Sequence, residues 1–140
     1  MRFFLLYTFI LTASYSIAQI EEKDNLYYNA EGILLDGVHT EYYDNGVVKA
    51  EMNFSKGKKE GEVHYYYKTG VRKETRNYSN NQKHGEWIRY NEDGKMIALA
   101  SFKNGLKHGK WIIADNKGRK IYEMFYDSDQ KSGTWYKYDS

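Results

Sequence analysis

Neither cysteine nor proline occurs anywhere in these 140 residues. Without thiols there are no disulfides, no thiolate metal sites and no cysteine nucleophile. Without proline, every residue keeps the backbone N–H that strand pairing needs. An excess of one charge is missing too. The 21 lysines and arginines against 19 aspartates and glutamates leave a formal net charge of +2, too balanced to announce nucleic-acid binding. No phosphate-cradling glycine loop and no serine nucleophile elbow is present.

The one apolar run stands at the start. Arg2 is a short basic region, Phe3 to Thr12 (FFLLYTFILT) is apolar, and Ser16-Ile17-Ala18 places small residues before Gln19. This is the layout of a secretory signal peptide cleaved near Ala18/Gln19. A membrane-spanning helix needs roughly 20 apolar residues, and Thr8, Thr12, Ser14 and Ser16 interrupt this run. The expectation is a signal peptide over 1–18 and a secreted or periplasmic protein with no transmembrane segment after cleavage.

Aromatics make up 17% of the chain, and glycine falls at an unbroken interval: Gly37, Gly61, Gly85, Gly109 and Gly133. Such a period marks a repeat architecture. Other positions keep step. A second glycine recurs at Gly46, Gly70, Gly94 and Gly118, an aromatic at Phe54, Tyr78, Phe102 and Tyr126, and a lysine at Lys59, Lys83, Lys107 and Lys131. The repeat domain therefore spans 37–140, as units 37–60, 61–84, 85–108 and 109–132 with a partial unit 133–140. Residues 19–36 are expected to cap it, with Tyr27 to Leu35 as their ordered part.

Within each unit, Asn45-Gly46, Thr69-Gly70, Asp93-Gly94 and Lys117-Gly118 read as two-residue hairpin loops of type I′, with positive φ at both central residues. Strand formers flank them, and six residues such as 103–108 are left as a connection. Two strands per unit and a final one give about nine. A two-residue turn fixes the register. It sets Gly37 against Phe54, His39 against Met52, Trp87 against Ala100 and Gly85 against Phe102. The glycine then either lies beneath the facing aromatic ring or ends a loop.

The same register sorts two faces. One collects Tyr43, Val48, Ala50, Met52 and Phe54, then Trp87, Met96, Ala98, Ala100 and Phe102, then Trp111, Ile113, Tyr122, Met124 and Tyr126. The other collects Tyr42, Val47, Tyr66, Ile88, Tyr90, Ile97 and Leu99 with some charges. Stacking is expected to align Trp87, Trp111 and Trp135 in one ladder and Tyr42, Tyr66 and Tyr90 in another. Arg72, Glu74 and Arg76 fall on the first face, so the second unit is expected to be the wettest.

The spacing Gly85-Glu86-Trp87-Ile88-Arg89-Tyr90-Asn91-Glu92-Asp93-Gly94, followed by Phe102, Gly105 and Gly109, resembles the MORN repeat. It is similar to the bacterial variant associated with antitoxins of toxin–antitoxin systems. His39 and Val63 stand where the motif has tryptophan, Ala114 where it has tyrosine, and Asn81 and Asp129 where it has the loop glycine. The resemblance implies an all-β fold: an elongated antiparallel meander of hairpin repeats in a single twisted sheet.

No catalytic constellation emerges. His84 and His108 occupy equivalent positions, two strands or roughly 10 Å apart, too far to share one zinc with Zn–N bonds of about 2 Å. Carboxylates such as Glu92-Asp93 and Asp127-Ser128-Asp129 sit in turns, where they bond local backbone. No enzyme activity, cofactor or metal is expected. Two features are candidates for binding. The file Lys59, Lys83, Lys107 and Lys131 reads either as solvated charge or as a row of cations for an anionic lipid or polysaccharide. The aromatics Trp87, Trp111, Trp135, Tyr42, Tyr66 and Tyr90 read either as ladders that hold the sheet or as contact residues for a protein partner. The expected function is a non-enzymatic scaffold for a macromolecular partner, most simply a protein, and the resemblance adds an antitoxin-like role.

Overall fold

A computed structural model describes residues 20–139. The expected signal peptide lies outside the described residues. A two-stranded hairpin, β1 (Glu21–Lys23) and β2 (Leu26–Tyr28), precedes the repeats. Eleven further strands form one antiparallel sheet: β3 (Gly37–Tyr42), β4 (Val48–Ser55), β5 (Lys58–Lys59), β6 (Gly61–Tyr66), β7 (Arg72–Ser79), β8 (Gln82–Lys83), β9 (Gly85–Tyr90), β10 (Met96–Lys103), β11 (Leu106–Ala114), β12 (Lys120–Asp127) and β13 (Gln130–Lys137). β5 continues into β6 and β8 into β9, so the spatial path runs through nine strands in chain order. The all-β meander of hairpin repeats is as the sequence predicts. No helix among the described residues is long and apolar enough to cross a membrane.

The two kinds of turn are exchanged relative to expectation. At Asn45-Gly46 only the glycine has positive φ, and the Gly46 N–H donates to the Tyr43 carbonyl while the Tyr43 N–H donates to that of Val47. This is a type I turn closed by a glycine bulge, a three-residue loop. It recurs at Gly70, Gly94 and Gly118. The predicted register nevertheless holds in the strand bodies: Gly37 faces Phe54, His39 faces Met52 and Trp87 faces Ala100. A bulge restores it, because Tyr42 pairs with Val48 and Glu41 with Ala50, leaving Lys49 over. Partners across an antiparallel pair share a face. Val48, Met96 and Arg72 therefore lie with Tyr42, Tyr90 and Tyr66, not on the face expected for them.

The type I′ turns sit in the supposed connections. Both central residues have positive φ at Lys56-Gly57, Asn80-Asn81, Asn104-Gly105 and Ser128-Asp129. Residues beyond these turns are paired strand, with Phe102 opposite Lys107 and Lys103 opposite Leu106. The turns also lock units together. The Gly57, Asn81, Gly105 and Asp129 N–H groups donate to the carbonyls of Leu35, Lys59, Lys83 and Lys107. Asn81 and Asp129, which replace the loop glycine, accept in return from the N–H groups of Lys59 and Lys107 at 2.6 and 2.7 Å.

The periodic glycine has a cause other than ring cover. Ala100 pairs with Trp111 but Phe102 with Lys107, so Ser101 alone faces His108, Gly109 and Lys110. Gly109 takes φ +82° inside this bulge, a conformation that disfavours residues with a Cβ. Added Cβ atoms at Gly85 and Gly109 would meet Asn77 and Ser101 at 3.3 and 3.4 Å, not the facing aromatic rings.

The main core sits at the first unit, where Leu35, Ala50, Met52, Phe54 and Val63 are buried and Ile20, Tyr27, Tyr65 and Tyr78 pack around them. Strand structure begins at Glu21, ahead of the Tyr27–Leu35 stretch expected to be ordered. The hairpin closes the core through Tyr27 N–H to the Gly57 carbonyl at 2.8 Å. In the fourth unit, burial moves to the opposite face: Ile112, Ala114 and Glu123 are buried, while Ile113 and Tyr122 are exposed.

Candidate functional site

The strand pairing gathers the lysine file and the aromatics onto one face. Each repeated aromatic is paired with the lysine beyond its type I′ turn: Phe54 with Lys59, Tyr78 with Lys83, Phe102 with Lys107 and Tyr126 with Lys131. Partners in such pairs project to the same side, so the lysines are not a loop margin. The Lys83 ammonium stands 4.7 Å from the Trp87 ring centre and 5.0 Å from that of Phe102. Lys107 stands 5.0 Å from Trp111 and 4.9 Å from Tyr126. Lys131 lies 4.3 Å from Trp135. These are cation–π distances.

The rings beneath form one ladder rather than a tryptophan stack. Tyr78, Trp87, Phe102, Trp111, Tyr126 and Trp135 follow in alternation with centroids 5.2–5.3 Å apart and tilted planes. Successive tryptophans are thus separated by Phe102 or Tyr126. Each indole N–H is committed to the backbone across its bulge: Trp87 donates to the Asn77 carbonyl at 2.8 Å, Trp111 to Ser101 at 3.0 Å and Trp135 to Phe125 at 3.1 Å. Val63 in the second unit leaves a gap in the ladder, and Lys59 fills it. Its ammonium is 4.5 Å from Tyr27 and 5.4 Å from Tyr78. Burial lowers the Lys59 pKa below its ordinary value; the Glu22 carboxylate opposes this and Arg76 reinforces it.

The second unit is not the wettest. Arg76 lies over Tyr65 at 4.7 Å and Trp87 at 5.1 Å, and it pairs with Glu74 at 2.5 Å. Arg89 approaches the same carboxylate at 3.3 Å. Burial disfavours the Arg76 charge, but the hydrogen bond to Glu74 outweighs it and raises its pKa.

The opposite face has no tyrosine ladder: among the described residues, Tyr42, Tyr66 and Tyr90 are not stacked on one another. Tyr42 is exposed. The Tyr66 hydroxyl donates to Glu51 at 2.6 Å, with Arg72 over its ring at 5.7 Å. The Tyr66 and Tyr90 carbonyls accept from the hydroxyls of Tyr43 and Tyr67, stitching successive units.

Two open depressions indent the protein. One of about 340 Å³ is lined by Glu51, Glu62 and His64 among others, and one of about 210 Å³ by His108 and Asp127 among others. Among the described residues no three His, Asp or Glu side chains gather as a metal site.

Sequence reasoning listed Phe102, Tyr126 and Tyr78 as periodic but missed them as rungs, and it missed Tyr27 and Arg76. The signal was Asn104-Gly105. Reading that dipeptide as a type I′ turn sets Phe102 opposite Lys107 at once. No curated protein matches the chain. Residues 35–56 and 83–104, each starting two residues ahead of the first and third units, match the model of the MORN repeat variant.

Proposed function

We propose that this protein is an exported, non-enzymatic repeat scaffold that binds a macromolecular partner, foremost a protein. The exposed end of the ladder face carries the reading. Ile113, Tyr122 and Trp135 are 44, 38 and 37% exposed there, and Lys131 lies over the Trp135 ring. Apolar and aromatic side chains set among cations suit a contact surface, and repeat sheets offer broad faces rather than clefts. Export follows from the signal-peptide layout of 1–18, with a secreted or periplasmic mature chain. An immunity-like role in the envelope is the form of antitoxin action compatible with export, since a cytoplasmic toxin would be separated from it. The test is capture of a partner by the tagged protein and by two folded variants. Loss of capture with Tyr122→Ala/Trp135→Ala, but not with Tyr66→Ala/Tyr90→Ala, supports the ladder face. Undiminished capture by both removes the assignment.

A second reading, attachment to an anionic lipid or polysaccharide, is favoured by the lysine file itself. Lys59, Lys83, Lys107 and Lys131 recur in step on one face and form no ion pair within the described residues, whereas Arg76 and Arg89 on the same face are both paired with Glu74.

A further inference from the structure

We propose that the lysine file binds an anionic polysaccharide lying along the sheet axis, one carboxylate per disaccharide meeting one lysine per unit. The inference rests on the macromolecule-binding reading and names the ligand class. Three of the four lysine charges on this face are unmatched. Lys83, Lys107 and Lys131 have no carboxylate partner among the described residues, and Glu74 is already shared by Arg76 and Arg89. Lys59, at the first unit, has two carboxylates within electrostatic reach, Glu22 and Glu41. An acidic occupant is the complement of such a surface.

The ammonium groups are also seated over rings. Lys83 and Lys107 each rest over two rings and Lys131 over one, contacts that favour one placement of each side chain. A side chain that already favours its bound placement lowers the cost of binding. Equivalent lysines recur every second strand, a spacing of roughly 10 Å. That is close to the advance of one disaccharide in an extended β-linked chain, so a polymer with one uronic acid per disaccharide keeps step with the file. An extended polypeptide advances about 3.3 Å per residue and matches only if every third residue is acidic.

Hyaluronan oligosaccharides of one to five disaccharides, titrated into the full chain by calorimetry, test this. Affinity is expected to rise with each disaccharide up to four and then level off, and to fall steeply with salt. Lys83→Gln and Lys107→Gln should each weaken the four-disaccharide ligand roughly fivefold to tenfold, while Lys107→Arg retains it. A neutral chitin oligosaccharide of the same length should bind far more weakly. Far-UV dichroism and urea midpoints establish that the variants fold. Absence of hyaluronan binding by folded protein overturns the proposal. So does binding unchanged by the glutamine variants, or equal binding of polyglutamate. Partner-protein capture that survives all the lysine variants, with hyaluronan silent, removes this inference and leaves the scaffold reading standing; loss of both removes both.

Discussion

Trp111 donates its indole N–H to the carbonyl oxygen of Ser101 at 3.0 Å. Ser101 is the single residue on the short side of the bulge around Gly109, so its carbonyl lacks the ordinary ladder partner. The indole therefore joins two structural tasks: it is a rung between Phe102 and Tyr126, and it satisfies the backbone at the bend.

Trp111→Phe keeps a ring and removes the donor. The expected cost is about 1–3 kcal/mol, the penalty of a shielded polar group left unpaired. Trp135→Phe should cost less, because Trp135 is exposed and water can reach the Phe125 carbonyl. Urea unfolding midpoints of the two variants give the comparison, and equal losses would contradict this account.

Gly57 and Gly105 hold equivalent positions in type I′ turns, yet they should respond oppositely to asparagine. Gly105→Asn is expected to change stability by less than about 0.5 kcal/mol, because asparagine tolerates positive φ and nothing lies within 4 Å of an added Cβ. Gly57→Asn should cost about 1–3 kcal/mol through overpacking, since its Cβ would run into Leu34 and approach the Tyr27 carbonyl at 3.3 Å. Gly57→Val is likewise expected to cost more than Gly85→Val, because the hairpin packs directly on Gly57 whereas Gly85 meets only the Asn77 side chain. Thermal midpoints of Gly57→Asn, Gly105→Asn, Gly57→Val and Gly85→Val decide it.

Alkaline titration should loosen the packing around the main core, against which Tyr27 and Tyr65 lie. The Tyr27 hydroxyl is pushed up to about 12 from an ordinary 10.0, first by burial and then by the Glu22 carboxylate. Tyr65 and Tyr66 shift in the same direction, both chiefly through burial. A raised folded pKa contributes stability that is present below the unfolded value and lost as pH climbs through the folded one. These tyrosines therefore withdraw stability above pH 10, over a window that for Tyr27 runs to about 12. Tyr27→Phe should flatten that loss, as read from urea midpoints against pH alongside tyrosinate absorbance.

At the acid end Glu123 gives the opposite sign. Its pKa is lowered, chiefly by the hydrogen bond from Lys120 at 2.5 Å, with burial opposing and Lys110 assisting. A depressed folded pKa contributes stability above the unfolded value, here the ordinary 4.5, that disappears as pH falls through the folded one. Glu123→Gln should remove this acid-side slope, and an unchanged slope in the same unfolding series would refute the assignment.

The fold was legible because it is periodic and local. Glycine, aromatic and lysine each recur in step, and a tight hairpin sets register from its own dipeptide. The register of Gly37 with Phe54 and of Trp87 with Ala100 was predictable even though the turn chemistry was misplaced. A glycine bulge lengthens the loop and a second bulge at Lys49 takes the residue back, so the errors cancel in the strand body. They did not cancel next to the turn, where Val48, Met96 and Arg72 changed face.

The candidate site was half legible for the same reason. Sequence alone determined which residues repeat, that the chain forms paired strands, and that a lysine and an aromatic recur in every unit. Only the tertiary structure decided that these two are cross-strand partners on one face, with Lys83 and Lys107 seated over ring pairs and Lys59 filling the gap left by Val63. That outcome depends on where the strand bends: two extra residues at each bulge turn the chain so that tryptophan reaches back to a carbonyl ten residues earlier. Spacing along a chain carries no record of such a bend. It arises when backbone groups and rings of neighbouring units must be satisfied together.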